Sequence, residues 1–433
     1  MDDTGELARL VESGTCDVSF ARLYPGEPIG RIRSRYTGAI RTFESLFSAC
    51  GAIVVSAPGR IEIGGNHTDH QRGCVLAAAV DLDIIGVAAP APEPIIRVHS
   101  EGHAPVEVAL GDLTPQSVTD SSALVRGVSE WFALHGYPVG GFNAYMTSRV
   151  PPGSGLSSSA AFEVAVGQIL NILYCGGRVS PAELAMAGQY AENIHKGKPC
   201  GLMDQMASAT GGTVFIDFAS PSRPLVKSIA FDVAAAGLCL CVVNTGGSHS
   251  DLTGRYASIT LEMGQVAALM GEDGLRDVDE AVFRARLPAL RPAVGDRALL
   301  RSMHFFDENR RVLQMSAALE KRDTTLFLEL IRRSGDSSWR LLQNVVSGGD
   351  ARSQALALAL AVSEAALGAA GAWRVHGGGF AGTVLALVPK DKLSGYIAHM
   401  SEIFGGDACS RLAVLPAGVT RVIAEGSYGG IAL

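Results

Sequence analysis

The chain has 433 residues, 47% of them hydrophobic and 18% charged, with a formal net charge of −7. That composition supplies cores for roughly two or three domains and is far from a disordered one. It argues against electrostatic binding to nucleic acid, which needs concentrated Lys and Arg. No window approaches the ~20 apolar residues of a membrane span, and the acidic start MDDTGELARL lacks the regions of a signal peptide. The cysteines show no CxxC spacing, so neither zinc nor a disulfide framework is indicated. A reduced, cytoplasmic, monomeric protein with no nucleic-acid or membrane partner is expected.

Residues 1 to about 50 read as a helical lead-in, in which Arg35, Tyr36 and Ile40 approach Phe43 and Phe47. Ala52 to Ser56 reads as a strand ending at Pro58-Gly59. Ala57 to Gly73, APGRIEIGGNHTDHQRG, then crowds Arg60, Glu62, Asn66, His67, Asp69, His70 and Arg72 among turn-forming glycines. Such a cluster suits a hydroxyl-rich ligand, because a carboxylate such as Asp69 accepts two hydrogen bonds from vicinal hydroxyls. Metal binding by His67, Asp69 and His70 is the weaker reading, since three ligands within four residues rarely share one coordination sphere. A solvated loop is the third reading. Val75 to Ala89 is β-rich and broken by Asp81 and Asp83.

Val150 to Ala161, VPPGSGLSSSAA, carries glycines at 153 and 155 and hydroxyls at Ser157, Ser158 and Ser159. Phe162, Ala165, Val166, Ile169 and Leu173 follow at helical spacing. A glycine-rich turn opening a helix aims unpaired N–H groups at an anion; an ordinary loop with a serine-rich cap is the alternative. No Lys-Ser or Lys-Thr follows the glycines, and the third glycine of a dinucleotide fingerprint is missing. Ser180-Pro181-Ala182-Glu183 starts a helix that should run to about His195 and stop near Gly197. Lys198 to Gly212, KPCGLMDQMASATGG, sets Asp204 among small and apolar residues, as an N-cap or as a functional carboxylate.

Val214 to Phe218 and Leu238 to Val243 read as strands, the latter with Cys239 and Cys241 on one face; 256–271 and 352–370 read as helices and Gly382 to Val388 as a late strand. Val375 to Val388, VHGGGFAGTVLALV, demands close backbone approach, either to a ligand or within a tight hairpin. Strands and helices interleave without a strict βαβ period, which favours α+β layers. The polar connection Ser220 to Lys227 divides the chain into domains 1–222 and 223–433.

Taken in order, these clusters resemble the GHMP small-molecule kinases, and the first narrows the resemblance to the galactokinase family. GRIEIGGNHTDHQ is similar to that family's Gly-Arg…Gly-Glu-His-Thr-Asp-Tyr-Asn, and Gly155 to Ala160 to its Gly-Leu-Ser-Ser-Ser-Ala loop. Cys200 to Gln205 matches Cys-Gly-Ile-Met-Asp-Gln with Leu202 for Ile. Asn244, His249-Ser250 and Tyr256 match a fourth segment, and Gly377 to Phe380 a closing Gly-Gly-Gly-Phe turn. The resemblance spans roughly residues 30 to 390. It implies an α+β fold of two domains, a ribosomal protein S5 domain 2-like N-terminal domain and a ferredoxin-like C-terminal domain, with the active site in the cleft between them. It further implies an ATP-dependent sugar 1-kinase, with Asp204 as catalytic carboxylate, whether as base or electrostatic group, and Arg60 stabilising the reacting oxygen. Gly153, Ser154, Gly155, Leu156, Ser157, Ser158, Ser159, Ala160 and Gly378 would hold ATP, with Mg²⁺ on Ser159 and Glu192. Asn66, His67, Asp69, Gly201 and Tyr256 would meet the sugar.

The pattern departs from the family in places. Asn66 replaces the family's Glu, which contacts the sugar's C6 hydroxyl, and Glu62 stands where the family has Asn. Gly64 replaces Ile, His70 replaces Tyr, and Ala257-Ser258 follow Tyr256 where an Arg-Arg pair is usual. These departures raise the expectation of loosened or redirected C6 recognition, keeping galacturonate, L-arabinose and N-acetylgalactosamine open beside galactose. Asp69 would preserve galacto selectivity at C3 and C4. A non-catalytic sugar and ATP sensor is the competing class, although Ser158-Ser159-Ala160, Arg60, Asp204 and Glu192 are all present. A kinase of isoprenoid or amino-acid alcohols leaves the His-Thr-Asp sequence unexplained.

Overall fold

The computed structural model describes residues 1, 3–48, 51–116, 120–151, 155–246, 252–346 and 352–423. Three lead-in helices, α1 (Thr4–Glu12), α2 (Asp17–Leu23) and α3 (Ile29–Phe47), precede the long antiparallel strands β1 (Ile53–Gly64) and β2 (Cys74–Pro90). Then come β3 (Ile95–Ser100), β4 (Val106–Ala109), α4 (Ser121–Leu134), β5 (Phe142–Ser148), α5 (Ser158–Tyr174), α6 (Pro181–Tyr190), α7 (Met203–Thr210), β6 (Thr213–Asp217) and β7 (Leu225–Ile229). A capping box of Ser180 and Glu183 starts α6, which closes in a π turn, Ala191–His195.

The second part comprises β8 (Leu238–Asn244), α8 (Thr253–Leu269), α9 (Glu280–Glu320, broken at Gly295), α10 (Thr324–Ser337) and α11 (Ala355–Leu367). The hairpin β9 (Ala372–His376) and β10 (Thr383–Pro389), then α12 (Leu393–Phe404), β11 (Cys409–Leu412) and β12 (Thr420–Ile423) complete it. The order β11-β8-β10-β9, antiparallel throughout, with helices between β8 and β9 and between β10 and β11, is a ferredoxin-like arrangement. The larger sheet runs β12-β1-β2-β5-β3-β4, with β6 on the other half of β2 and β7 beyond it.

Both faces of β1 and β2 are covered. Ile53, Val55, Ile84 and Ala88 join the main core under α5, whereas Val54, Ile85, Val87 and Ala89 join a second core with the lead-in helices. This two-sided burial explains why the strands read as nearly continuous apolar runs.

Three expectations are corrected. β1 passes through Pro58-Gly59, because the ladder skips from Pro58–Asp83 to Gly59–Val80 and the breakers sit in a bulge. The carboxylates of Asp81 and Asp83 therefore do not break β2: Asp81 accepts from Ala413 N at 2.9 Å and Asp83 is fully buried. A boundary at 222 also cuts through one sheet, since β7 pairs with β6, and β12 returns to β1.

Asp83 anchors the lead-in helices to the sheet. It accepts from Tyr24 Oη at 2.5 Å and Ser56 Oγ at 2.5 Å, and it pairs with Arg35. Removing such a carboxylate strands a buried charge and two hydroxyls. Asp83→Ala is expected to cost about 3–5 kcal/mol, measured by urea denaturation; a loss near zero would show that the network contributes nothing.

Candidate active site

The bulge in β1 aims its exit toward the serine loop. A Cβ on Gly59 would lie 3.0 Å from Leu156 O and 3.1 Å from Leu82 O, and Arg60 N donates to Leu156 O at 3.1 Å. Side chains two apart on a strand share a face, so Arg60 and Glu62 point the same way. Both line a cavity of about 350 Å³ between the two parts of the fold.

Arg60 grips Asp204, in the first turn of α7, through two parallel bonds: Nε–Oδ1 at 2.7 Å and Nη2–Oδ2 at 2.8 Å. Its Nη1 donates to Gly155 O, and Ser157 Oγ donates to Asp204 Oδ2. Burial raises the Asp204 pKa, but the Arg60 charge, the bonds from Arg60 and Ser157, and Lys198 outweigh it, leaving the carboxyl below its ordinary value. Ser157 caps α5 with φ +59°, a left-handed conformation uncommon outside glycine. The Asp204 side chain therefore belongs to a charge cluster facing the cavity and caps no helix.

Behind the loop, Glu192 from the π turn receives Lys198 Nζ at 3.0 and 3.3 Å, with Ser159 beside it. Burial raises the Glu192 pKa, but Lys198 and Ser159 more than reverse this, holding the group ionised. Lys198 lines the cavity between Glu192 and Asp204. The sequence offered no motif for it beyond its place before Pro-Cys-Gly.

On the opposite wall, Asp69 packs against Gly201 so closely that a Cβ there would fall 1.7 Å from Oδ2. His67, with φ +58°, has Nε2 3.1 Å from Gly378 O, so Nε2 carries the proton and donates it. Burial and then His70 push its pKa down to about 3. His67 and His70 stack at 5.7 Å, and no cluster of three metal-binding side chains occurs among the described residues. Tyr256 Oη donates to Gly379 O at 3.1 Å, and its ring occupies the space a Cβ on Gly378 would need.

Thus Arg60, His67, Asp69, Gly155, Ser157, Ser158, Ser159, Gly201, Asp204, Tyr256 and Gly378 share one cavity. Leu156 and Ala160 are buried in the core, and Glu192 stands behind the wall. Gly153, Ser154 and the His249-Ser250 pair lie outside the described residues.

Asn66 is the main surprise. It is 0% exposed and does not line the cavity. Its Nδ2 donates to Gly377 O at 2.7 Å and to Glu62 at 3.0 and 3.2 Å, while its Oδ1 accepts from Asn344 Nδ2 at 2.8 Å. Glu62 lines the cavity and binds Arg374 Nη2 at 2.6 Å. An amide needs donors and acceptors around it, and this buried network supplies both. Carboxylate and amide have therefore exchanged positions relative to the family pattern, which undercuts the expectation of C6 recognition through Asn66.

Burial lifts the Glu62 pKa to about 7 against the opposing charges of Arg374 and Arg60, with Asp69 and Glu308 adding to the rise. An unfolded glutamate titrates near ~4.3. The folded state thus binds more protons between these values, and the contribution to stability is lost as pH rises from about 4 to about 7. Glu62→Gln is expected to flatten the pH dependence of the urea midpoint across that window; a wild-type slope in the variant would overturn the assignment.

Comparison with known proteins follows the same lines. A family model described as "GHMP kinases N terminal domain" matches residues 123–212, and one described as "Galactokinase galactose-binding signature" matches residues 41–90. The chain is 36% identical over 352 residues to a galactokinase of Streptomyces coelicolor, covering 80% of this chain and 87% of that protein. It is 34% identical over 373 residues to a galactokinase of Streptomyces lividans, covering 85% and 90%. Lactococcus lactis galactokinase complexed with galactose superposes with a TM-score of 0.77 at 23% identity, covering 88% of this chain and 98% of that one. The mevalonate kinase of Methanococcus jannaschii gives 0.60 at 13% identity, covering 84% and 98%.

Proposed function

Because this chain belongs to the galactokinase family of GHMP kinases, we propose that it transfers the γ-phosphoryl group of ATP to the anomeric hydroxyl of α-D-galactose, giving galactose 1-phosphate and ADP. The observation that carries this reading is the Arg60–Asp204 pair, set between the serine loop and the His67–Asp69 wall.

In this reading Asp204 orients the sugar hydroxyl and accepts its proton late. Its lowered pKa makes it a weak base, and a loose phosphoryl-transfer transition state asks for little early deprotonation. Arg60 keeps the carboxylate ionised and offsets charge on the reacting oxygen. The amides at the start of α5 cradle phosphate oxygens, aided by the helix dipole. The Ser159 hydroxyl and the ionised Glu192 carboxylate are hard oxygen donors that fit Mg²⁺, the remaining positions falling to phosphate and water. When bound, that ion neutralises charge on the polyphosphate. Lys198 adds a second positive charge beside the same oxygens.

For the sugar, Asp69 presents a carboxylate to the cavity and favours neutral hydroxyl donors over a uronic acid. This supports galactose as substrate and leaves the C6-variant sugars without the residue that suggested them. The seven described cysteines are all free, as in a reducing compartment such as the cytoplasm, and no helix among the described residues is long and apolar enough to cross a membrane. The reading divides the chain after Ile229, with β12 returned to the first domain.

Asp204→Asn is expected to lower kcat by about 10²–10⁴-fold with galactose still bound, measured by ADP release and by calorimetry; near-wild-type turnover would remove Asp204 from the reaction. Ser159→Ala is expected to raise the Mg²⁺ requirement and the KM for Mg·ATP by about tenfold without altering galactose affinity. An unchanged Mg²⁺ dependence would exclude it as a ligand.

A further inference from the structure

A second cavity, of about 450 Å³, lies on the far side of the Tyr256–glycine-turn wall. Its walls carry Arg255, Arg297, Arg301 and Arg340, together with Trp339 and Phe380. In a chain with a formal charge of −7 this is an unusual concentration of cations. Glu262 is the carboxylate paired with this set: Arg297 binds it at 2.5 Å and Arg301 at 2.9 Å. Among the described residues neither Arg255 nor Arg340 has a carboxylate partner, so four guanidiniums share one described carboxylate. Arg301 is only 1% exposed. Its Nε donates to Leu342 O at 3.2 Å and its Nη1 to Ser258 Oγ at 3.1 Å and Glu262 at 2.9 Å, with no partner for Nη2 among the described residues. Burial and then the neighbouring Arg297 push its pKa down despite Glu262, as expected where like charges crowd without enough counter-charge.

Two further features set this cavity apart from an ordinary surface cleft. Trp339 is 40% exposed on its wall, and the adjoining Gln343 is held at φ +60°. An exposed indole, a left-handed non-glycine residue and convergent guanidiniums are features of ligand sites.

We propose that this cavity is a second anion site that takes a small phosphorylated molecule, its phosphate on the arginines and its ring against Trp339. The site adjoins the first through shared structure. Arg255 lies 5.9 Å over the Phe380 ring, Phe380 packs edge-on at 5.8 Å against Tyr256, and Phe380 N donates to Asn344 O. Asn344 Nδ2 in turn donates to Gly378 O at 3.1 Å, on the wall of the first cavity. A ligand that reorders Phe380 or Gln343 therefore acts on the glycine turn and on Tyr256.

The test is calorimetric titration of the full chain with inorganic pyrophosphate, with saturating galactose and a non-hydrolysable ATP analogue occupying the first cavity. The expected result is one equivalent bound, weakened at least tenfold in Arg255→Gln/Arg340→Gln and weakened by added salt. Both substituted residues are exposed, and an unchanged melting temperature would confirm an intact fold. No binding once the first cavity is filled, or equal binding by the double variant, would overturn the site. Titrations with AMP and galactose 1-phosphate separate the two sources of ring: the true class binds more tightly than pyrophosphate and loses that advantage in Trp339→Ala. Neither ester exceeding pyrophosphate would overturn the ring contact. Pyrophosphate should also shift the galactose KM at least twofold in the wild type and not in the double variant; an unshifted KM would overturn the coupling.

Discussion

One face of β1 organises the molecule. Arg60 and Glu62, two residues apart, carry opposite charges to opposite partners: Arg60 takes Asp204 from the first part of the fold, and Glu62 takes Arg374 from the second. Burying a charge pair costs about as much desolvation as its attraction returns. The value of these pairs lies in position: the two parallel bonds of Arg60 to Asp204 tolerate little rotation, and the single bond of Arg374 to Glu62 ties the second part of the fold to the same strand. The cleft thus has a charged seam that holds its two walls in register.

That seam extends through neutral groups. His376 Nε2 accepts the Glu62 amide at 3.1 Å, His304 Nε2 lies 2.9 Å from Asn66 O, and Asn66 reaches the glycine turn. Both histidines are fully buried with pKa values held low, by burial first, so they act as fixed hydrogen-bonding groups. The consequence for function is a rigid floor beneath a partly exposed Asp204 and a serine loop held in strained backbone. Strain of this kind persists only where the surroundings over-determine it.

The lead-in helices fit the same logic at a distance. They cover the face of β1 and β2 that looks away from the cavity and are anchored through Asp83, beside the bulge that redirects Arg60. Their connection to the site is mechanical: they seal the second face of the strand whose exit geometry sets the catalytic pair.

The contiguous motifs were legible from sequence. Glycines before a serine-rich helix start, a capping box, and a polar cluster among turns are local patterns, and local physics decides them. The bulge was not legible, since Pro58-Gly59 looks like a strand end until β2 supplies two extra residues opposite it. Nor was the boundary, because β7 and β12 belong to the larger sheet by pairing alone. Lys198 and Arg374 gained their places from partners that no motif announces. Asn66 is the clearest case: its side chain is held by Asn344 and Gly377, 278 and 311 residues away. By itself the sequence determined which chemistry is present, and only the tertiary structure decided which of Glu62 and Asn66 faces the cleft. A buried amide turns toward whatever donors and acceptors folding brings to it, and apart from Glu62 those came from the other end of the chain.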